Sequence, residues 1–420
     1  MAVDTPAKIA IIGAGPIGLE AALYARFLGY EVAIYEAGPR VANSVRTWGH
    51  VRMFTPFGLN RSSLGLAAIQ AQEENYLPPG DDELLTGTEW GERYLQPLAE
   101  TDLLADSLFL RTQVLRVGKG EIHKEETPGH EDRGDWPFRL LVRDAAGRER
   151  SDEADVVIDA SGVFASAPKW LGYGGIPAVG EIDLRSQGEI EYRLPEILGR
   201  ERDQYAGRHT LLIGGGYSAA TNVAALAQLA REVPGTRVTW LTRGAGPIVM
   251  LENDRLPERE RLAREANRLA QDAATPIEHW PGTIVEEISQ PASGGPFQVL
   301  LAGPHEGWHT FDRILANVGF RPDRELYEEL QIHECYASHA PMKLAATLLG
   351  NASADCLDQR SCGVGTLRNP EANFYILGAK SYGRSSHFLL WVGLEQIREL
   401  FTLIGDRESL DLYASPVSLP

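Results

Sequence analysis

The sequence predicts an α/β fold with two strand–turn–helix–strand units, and three observations predict it. Gly13-Ala-Gly15-Pro16-Ile-Gly18 follows the β-branched run Lys8–Ile12 and opens an apolar stretch of helical spacing, Leu19–Leu28. Gly214-Gly-Gly216-Tyr-Ser218-Ala219 repeats that arrangement after His209–Ile213. Two further apolar strands end in glycine, at Asp159-Ala160-Ser161-Gly162 and at Asn317-Val-Gly319-Phe-Arg-Pro322, where the chain is expected to cross between domains.

In the first unit the strand Tyr30–Glu36 ends at an acid some twenty residues beyond the first glycine, the remaining part of a dinucleotide-binding unit. Its glycines let the backbone approach a pyrophosphate. The helix N-terminus supplies amide donors, and Glu36 can accept from ribose hydroxyls. In the second unit a helix is expected at 220–232 and a strand at 237–241. Ala219 stands in for the third glycine, a position that needs only a small residue. This strand leads into Thr242-Arg243 rather than an acid, which favours NADPH over NADH because the guanidinium can meet a 2′-phosphate. The alternative for Arg243 is a solvated turn residue.

At 420 residues two or three domains are expected, and the two crossings divide the chain into segments 1–175, 176–319 and 320–420. The formal net charge of −18 argues against nucleic acid and anionic membrane as partners. With 43% hydrophobic and 23% charged residues the chain should fold. Three cysteines, Cys335, Cys356 and Cys362, make no secreted disulfide framework, and a cytoplasmic location is expected, with no export signal at the N-terminus. The uncharged stretch Thr210–Ala230 is broken by three glycines and several polar residues, which fits a strand-to-helix turn and not a membrane span. His333-Glu-Cys335-Tyr-Ala-Ser-His339 lacks a second matching pair, so no metal is expected.

Leu108–Val117, Phe138–Arg143 and Ala154–Ile158 read as β segments, the last two joined as a hairpin by Asp144-Ala-Ala-Gly147-Arg. His123–Trp136 reads as an exposed loop or flexible hairpin without chemistry, and Arg255–Gln271 as a helix with solvated charges. Loops mixing aromatic, cationic and glycine residues often line sites, and Arg46-Thr-Trp48-Gly-His50-Val-Arg52-Met-Phe54 is one.

Taken together, the two glycine units with Glu36 and Arg243, Ala160-Ser161-Gly162 and Asn317–Pro322 resemble the flavoprotein oxidoreductases with two dinucleotide-binding domains. That group holds disulfide reductases, flavin-containing monooxygenases and N-hydroxylating monooxygenases. The resemblance implies an FAD-binding Rossmann-type domain with an inserted NAD(P)H-binding Rossmann-type domain. Phe374-Tyr-Ile-Leu-Gly378 and a helix at 388–402 would complete the flavin domain. Glu89–Glu100 with Phe109–Val114 is similar to a passage of flavin-containing monooxygenases that would set Val114 near the flavin adenine. The return segment from Tyr375 to His387 resembles N-hydroxylating monooxygenases, with Ala379 and Lys380 where disulfide reductases carry an acid. The Phe-x-Gly-x-x-x-His signature of flavin-containing monooxygenases is missing ahead of Gly214.

A disulfide reductase needs two thiols at the flavin, and neither glycine unit has a pair. The resemblance therefore implies a monooxygenase that passes one oxygen from a flavin C4a-hydroperoxide to a small nucleophilic metabolite, with dioxygen as co-substrate. Trp48 is expected to pack against the flavin ring, Arg46 to neutralise a pyrophosphate or carboxylate, and His50 to titrate near neutrality or to be a structural histidine. His387 is expected to cap the last helix or to face the flavin, with Lys380 and Arg384 as further cations. Residues 333–370 would cover the site. The alternatives are an NAD(P)H-dependent flavin reductase feeding a quinone, protein or disulfide, with Cys335 and Cys356 as relays, and a flavin-binding redox sensor.

Overall fold

The computed structural model describes residues 3–164, 167–248, 250–350 and 355–414. The chain divides into two compact units, Met1–Ala167 with Arg321–Pro420, and Pro168–Phe320. The first crossing thus comes before residue 168 and not after 175. Lys169 donates its N–H to the Gly319 carbonyl at 2.8 Å, and the Leu171 N–H goes to the Glu181 carboxylate, so these residues pack with the inserted unit.

The first unit is built on a parallel sheet ordered Phe374–Ile376, Val156–Asp159, Lys8–Ile12, Glu31–Tyr35 and Leu108–Phe109. Its strands read as unbroken apolar runs because both faces are covered. Ile9, Ile11, Val32, Ile34, Val156 and Ile158 face one core, with the first helix, Pro16–Phe27, and the last, Leu390–Ile404. Their neighbours Ala10, Ile12, Ala33, Tyr35 and Val157 face another, against an antiparallel sheet of Gln113–Lys119, Phe138–Arg143 and Glu149–Ala154. The period of two assigns alternate residues to opposite layers.

Three segments differ from the reading of the sequence. Leu108–Val117 is not one strand but two, in different sheets, separated by Arg111 at φ 51°. The hairpin partner of Phe138–Arg143 is the polar strand Glu149–Ala154, whose outer face is solvated, and Val156–Asp159 joins the parallel sheet instead. The segment 123–136 is mostly exposed but anchored: the Arg133 guanidinium, fully buried, forks onto Glu371 at 2.8 and 3.1 Å and donates to the His123 and Glu126 carbonyls.

Glu20 lies inside the apolar core of the first helix, 1% exposed, accepting from the Tyr94 hydroxyl at 2.6 Å. Burial raises its pKa from 4.5 to about 7, against the lowering effect of its hydroxyl donors. Folding therefore favours the protonated carboxyl. The gain is complete below the ordinary carboxylate range and is lost as pH rises through about 7. Relative to Glu20→Gln, the wild-type chain is expected to lose roughly 3 kcal/mol of stability between pH 4.5 and about pH 8. Urea unfolding at both ends of that range measures it, and parallel pH profiles for the two proteins would contradict it.

The inserted unit carries a parallel sheet ordered Ile277–Pro281, Arg237–Thr242, His209–Ile213 and Arg313–Ala316, and an antiparallel sheet of Ile284–Ser289, Phe297–Ala302 and Gly307–Phe311. Tyr217–Glu232 follows its glycine turn, so Thr210–Ala230 is a strand, a turn and a helix. The charged helix Pro257–Gln271 solvates Arg261 and Arg264 in pairs with Glu258 and Glu260. Among the described residues no helix is long and apolar enough to cross a membrane.

Candidate functional site

In the first unit the glycine turn joins Lys8–Ile12 to the first helix at the carboxyl end of the parallel sheet, where ligands of such sheets bind. Gly13 has φ 100°, and a Cβ there would sit 2.9 Å from the Ala160 carbonyl oxygen. A Cβ at Gly18 would overlap the Gly13 carbonyl. Both glycines are therefore demanded by the protein's own packing. Gly15 is different: its backbone is extended, and a Cβ would meet nothing within 4 Å. That open face lies beside the helix N-terminus, with Pro16 opening the helix, where backbone amides could meet an anion.

Glu36 helps to shape this turn. One of its oxygens accepts the Ala14 N–H at 3.0 Å and the other the Gly38 N–H at 2.6 Å, which leaves about two lone-pair sites for ribose hydroxyls. Burial raises its pKa, opposed by the two amides.

Ser161 lies beside the turn, since its Cα is 3.0 Å from the Cβ position of Gly13. Lys380 helps to fix it. Its Nζ is 2.6 Å from Asp159 Oδ2 and 3.2 Å from Ser161 Oγ, and Asp159 Oδ1 accepts the Ser161 hydroxyl at 2.6 Å. Both charged side chains are at most 1% exposed, so Lys380 is a buried partner rather than a solvated cation. Gly378 sits at φ 71°, its N–H bound by Gln396 Oε1 at 2.9 Å, and a Cβ there would press on Ile17 at 3.2 Å. Ile17 also fills the space over Gly393 of the last helix, beside Phe388.

The loop after Glu36 reaches the turn through the Ala42 N–H, bound to the Ala14 carbonyl at 2.8 Å. Arg46 follows one helical turn later and is held by the Val41 carbonyl and by Gln96, with Glu92 at 4.0 Å. Trp48 is half-buried with its ring over the Gly87 backbone, where a Cβ would come within 2.8 Å. His50 is half-buried in the same loop. Val114 is buried in the core between the two sheets and pairs with Val142.

His387 does not cap the last helix. The cap is Leu389, two residues later, and His387 is exposed with Nδ1 3.3 Å from Ser385 Oγ. Arg384 is exposed as well.

The inserted unit repeats the turn. Gly214 has φ 144° and a Cβ there would run into the Asn317 carbonyl, whereas Gly216 opens onto free space. Gly216 caps the helix, Ser218 is half-buried on its first turn, and Ala219 is fully buried where a larger side chain would not pack. The Trp240 indole N–H binds the Gly214 carbonyl at 2.8 Å, and Arg243 is exposed beyond Thr242. The roles of Asp159, Lys380, Gln396 and Trp240 escaped the sequence reading. The one hint was Lys380 in place of an acid.

Among the described residues no cysteine is joined in a disulfide. Cys335 packs with Ala340 and Ala345, while Cys362 packs in a separate cluster with Tyr382 and Phe388. Burial, with Glu399 nearby, pushes the Cys362 thiol up and keeps it protonated.

Residues 2–50 match the family model of the pyridine nucleotide-disulphide oxidoreductases. No curated protein sequence matches the chain. Among solved structures it is similar to the bacillithiol disulfide reductase of Bacillus cereus, at 17% identity over 96% of this chain and 99% of that one, TM-score 0.66. It is also similar to the FAD-bound cadaverine monooxygenase of desferrioxamine biosynthesis from Erwinia amylovora, at 13% identity over 99% of both chains, TM-score 0.63. A third is the ornithine N-hydroxylase of Kutzneria sp. 744, at 15% identity over 96% of this chain and 100% of that one, TM-score 0.61. The chain thus has the fold of the two-dinucleotide-binding-domain flavoprotein oxidoreductases, a Rossmann-type unit interrupted by a second one.

Proposed function

We propose that this chain is an FAD-dependent, NADPH-reduced monooxygenase acting on a small nucleophilic metabolite. The observation that carries the reading is the pair of glycine turns, each with one face left open by the protein's own packing, at Gly15 and at Gly216. Bound there, FAD would take reducing equivalents from NADPH and activate dioxygen. The chain's residues have simpler tasks. Gly15 would admit the pyrophosphate to the helix amides, Glu36 would orient the ribose, and the Lys380–Asp159 pair holds Ser161 beside the turn. Ile17, Phe388 and Gly378 pack at the helix start and exclude water there. Trp48, His50 and His387 belong to segments that would face the substrate.

Oxygen transfer is preferred to thiol chemistry because Cys335 and Cys362 lie in separate clusters and neither glycine turn carries a cysteine pair. The test is anaerobic reduction with NADPH followed by mixing with oxygen. A lag between oxygen consumption and return of the oxidised flavin spectrum is expected. Immediate reoxidation without a lag would favour an electron-transferring reductase, and a flavin that NADPH never reduces would favour a sensor.

Coenzyme choice rests on Arg243. Arg243→Ala is expected to raise the KM for NADPH about 10- to 100-fold, the worth of one charge-assisted contact to a 2′-phosphate, and to leave the KM for NADH nearly unchanged. Steady-state kinetics with both coenzymes measures this. An equal change for the two would refute the role.

A further inference from the structure

Away from either glycine turn, the first unit has a hollow of about 300 Å³ whose lining includes His333, Lys343 and Arg368, with Met342, Asn369 and Gly129 among its other residues. No carboxylate lines it. That is unusual in a chain with net charge −18, whose arginines are widely paired with acids. The charges beside the hollow are already matched, Arg324 to Glu334 at 2.6 Å and Arg133 to Glu371 at 2.8 Å. Among the described residues Lys343, Arg368 and His333 form no ion pair.

The three side chains come from separate segments that are tied in place. The Met342 N–H binds the His333 carbonyl at 2.8 Å, the Gly129 N–H binds the Gln331 side chain at 2.7 Å, and the Glu371 N–H binds the Gln331 carbonyl at 3.0 Å. Met342 and Lys343 also begin the helix Met342–Gly350, whose amino end adds positive potential. The hollow lies apart from the proposed FAD site. Arg368 and Asn369 precede the amino end of Phe374–Ile376, which is parallel to its sheet neighbours, whereas the first glycine turn is at the carboxyl end.

We propose that this hollow binds the phosphoryl group of a small soluble metabolite, as a third anion site beside those for the two dinucleotides. A guanidinium fork, an ammonium and an imidazole converging on one concavity match the oxygens of a phosphate, and the volume admits a compact metabolite rather than a nucleotide pair. The strongly negative net charge would repel an anionic lipid surface, which favours a free molecule as the source.

The test uses the full chain loaded with FAD and saturated with NADP⁺, so that both glycine turns are filled. Inorganic phosphate is titrated against it calorimetrically at constant ionic strength. Weak saturable binding is expected, reduced at least about tenfold in the double variant Lys343→Gln, Arg368→Gln, with flavin content and Tm unchanged. Both side chains are exposed, so the variant should fold. Arg368→Lys, which keeps the charge but loses the fork, should fall between the two. Equal binding by wild type and double variant would overturn the proposal, as would no binding by wild type. Binding of phosphatidic-acid vesicles in preference to phosphate would overturn the soluble source.

Discussion

Gly15→Val is expected to fold within about 1 kcal/mol of the wild-type chain and to bind FAD at least about a hundredfold more weakly. The backbone at Gly15 has φ −79° and ψ −177°, an extended conformation open to valine, and the helix cap that it forms uses no side chain. The space that a Cβ would enter is empty of protein atoms to 4 Å. The new side chain would enter the open face of the turn, where the FAD pyrophosphate is proposed to lie. Gly18→Ala is the counterpart: its Cβ would overlap the Gly13 carbonyl, so that variant should lose stability and flavin together. Flavin absorbance after gel filtration, with urea unfolding of both variants, separates the two effects. A Gly15→Val protein that keeps its flavin would show that the turn is structural only.

Arg133→Met and Glu371→Leu are each expected to destabilise the first unit by about 3 to 5 kcal/mol. The pair is fully buried, and removing one member leaves the other charge without its partner. Each side chain also holds backbone. Arg133 takes the His123 and Glu126 carbonyls, and Glu371 takes the Gln331 N–H at 3.0 Å. The double variant should therefore recover only part of the loss, falling short of the sum of the singles by about 2 kcal/mol. Limited proteolysis should cut both single variants first within 121–136, the stretch that the pair anchors. Single variants within 1 kcal/mol of wild type in urea would show that the stretch is held by other means.

Both predictions bear on what the sequence could disclose. The glycine turns were legible because their requirements are local: Gly13, Gly15, Gly18 and Glu36 act on one another within a single strand–helix–strand unit. The crossings were legible because Gly162 and Gly319 mark the ends of strands near them, whereas the inserted order came from the family resemblance. What stayed hidden depends on long-range partners. Lys380 meets Asp159, and Arg133 meets Glu371, across more than half the chain or near it, and either basic residue taken alone reads as a surface cation. Glu149–Ala154 concealed a strand because most of its side chains face solvent, so no apolar alternation shows. The break at Arg111 was hidden because a positive φ at a residue other than glycine leaves no mark in composition. His387 suggested a cap by its position, but the helix begins with Leu390, whose cap carries no polar side chain.

One chain is proposed to hold FAD in its first unit and to accept reducing equivalents from NADPH through its second. The most direct measurement is an anaerobic titration of the purified, FAD-incubated protein with NADPH, followed by visible absorbance. About one FAD per chain and bleaching by about one equivalent of NADPH are expected, since each hydride carries the two electrons that the flavin accepts. A protein that remains colourless after incubation with FAD, or whose flavin stays oxidised under excess NADPH, would contradict the proposal.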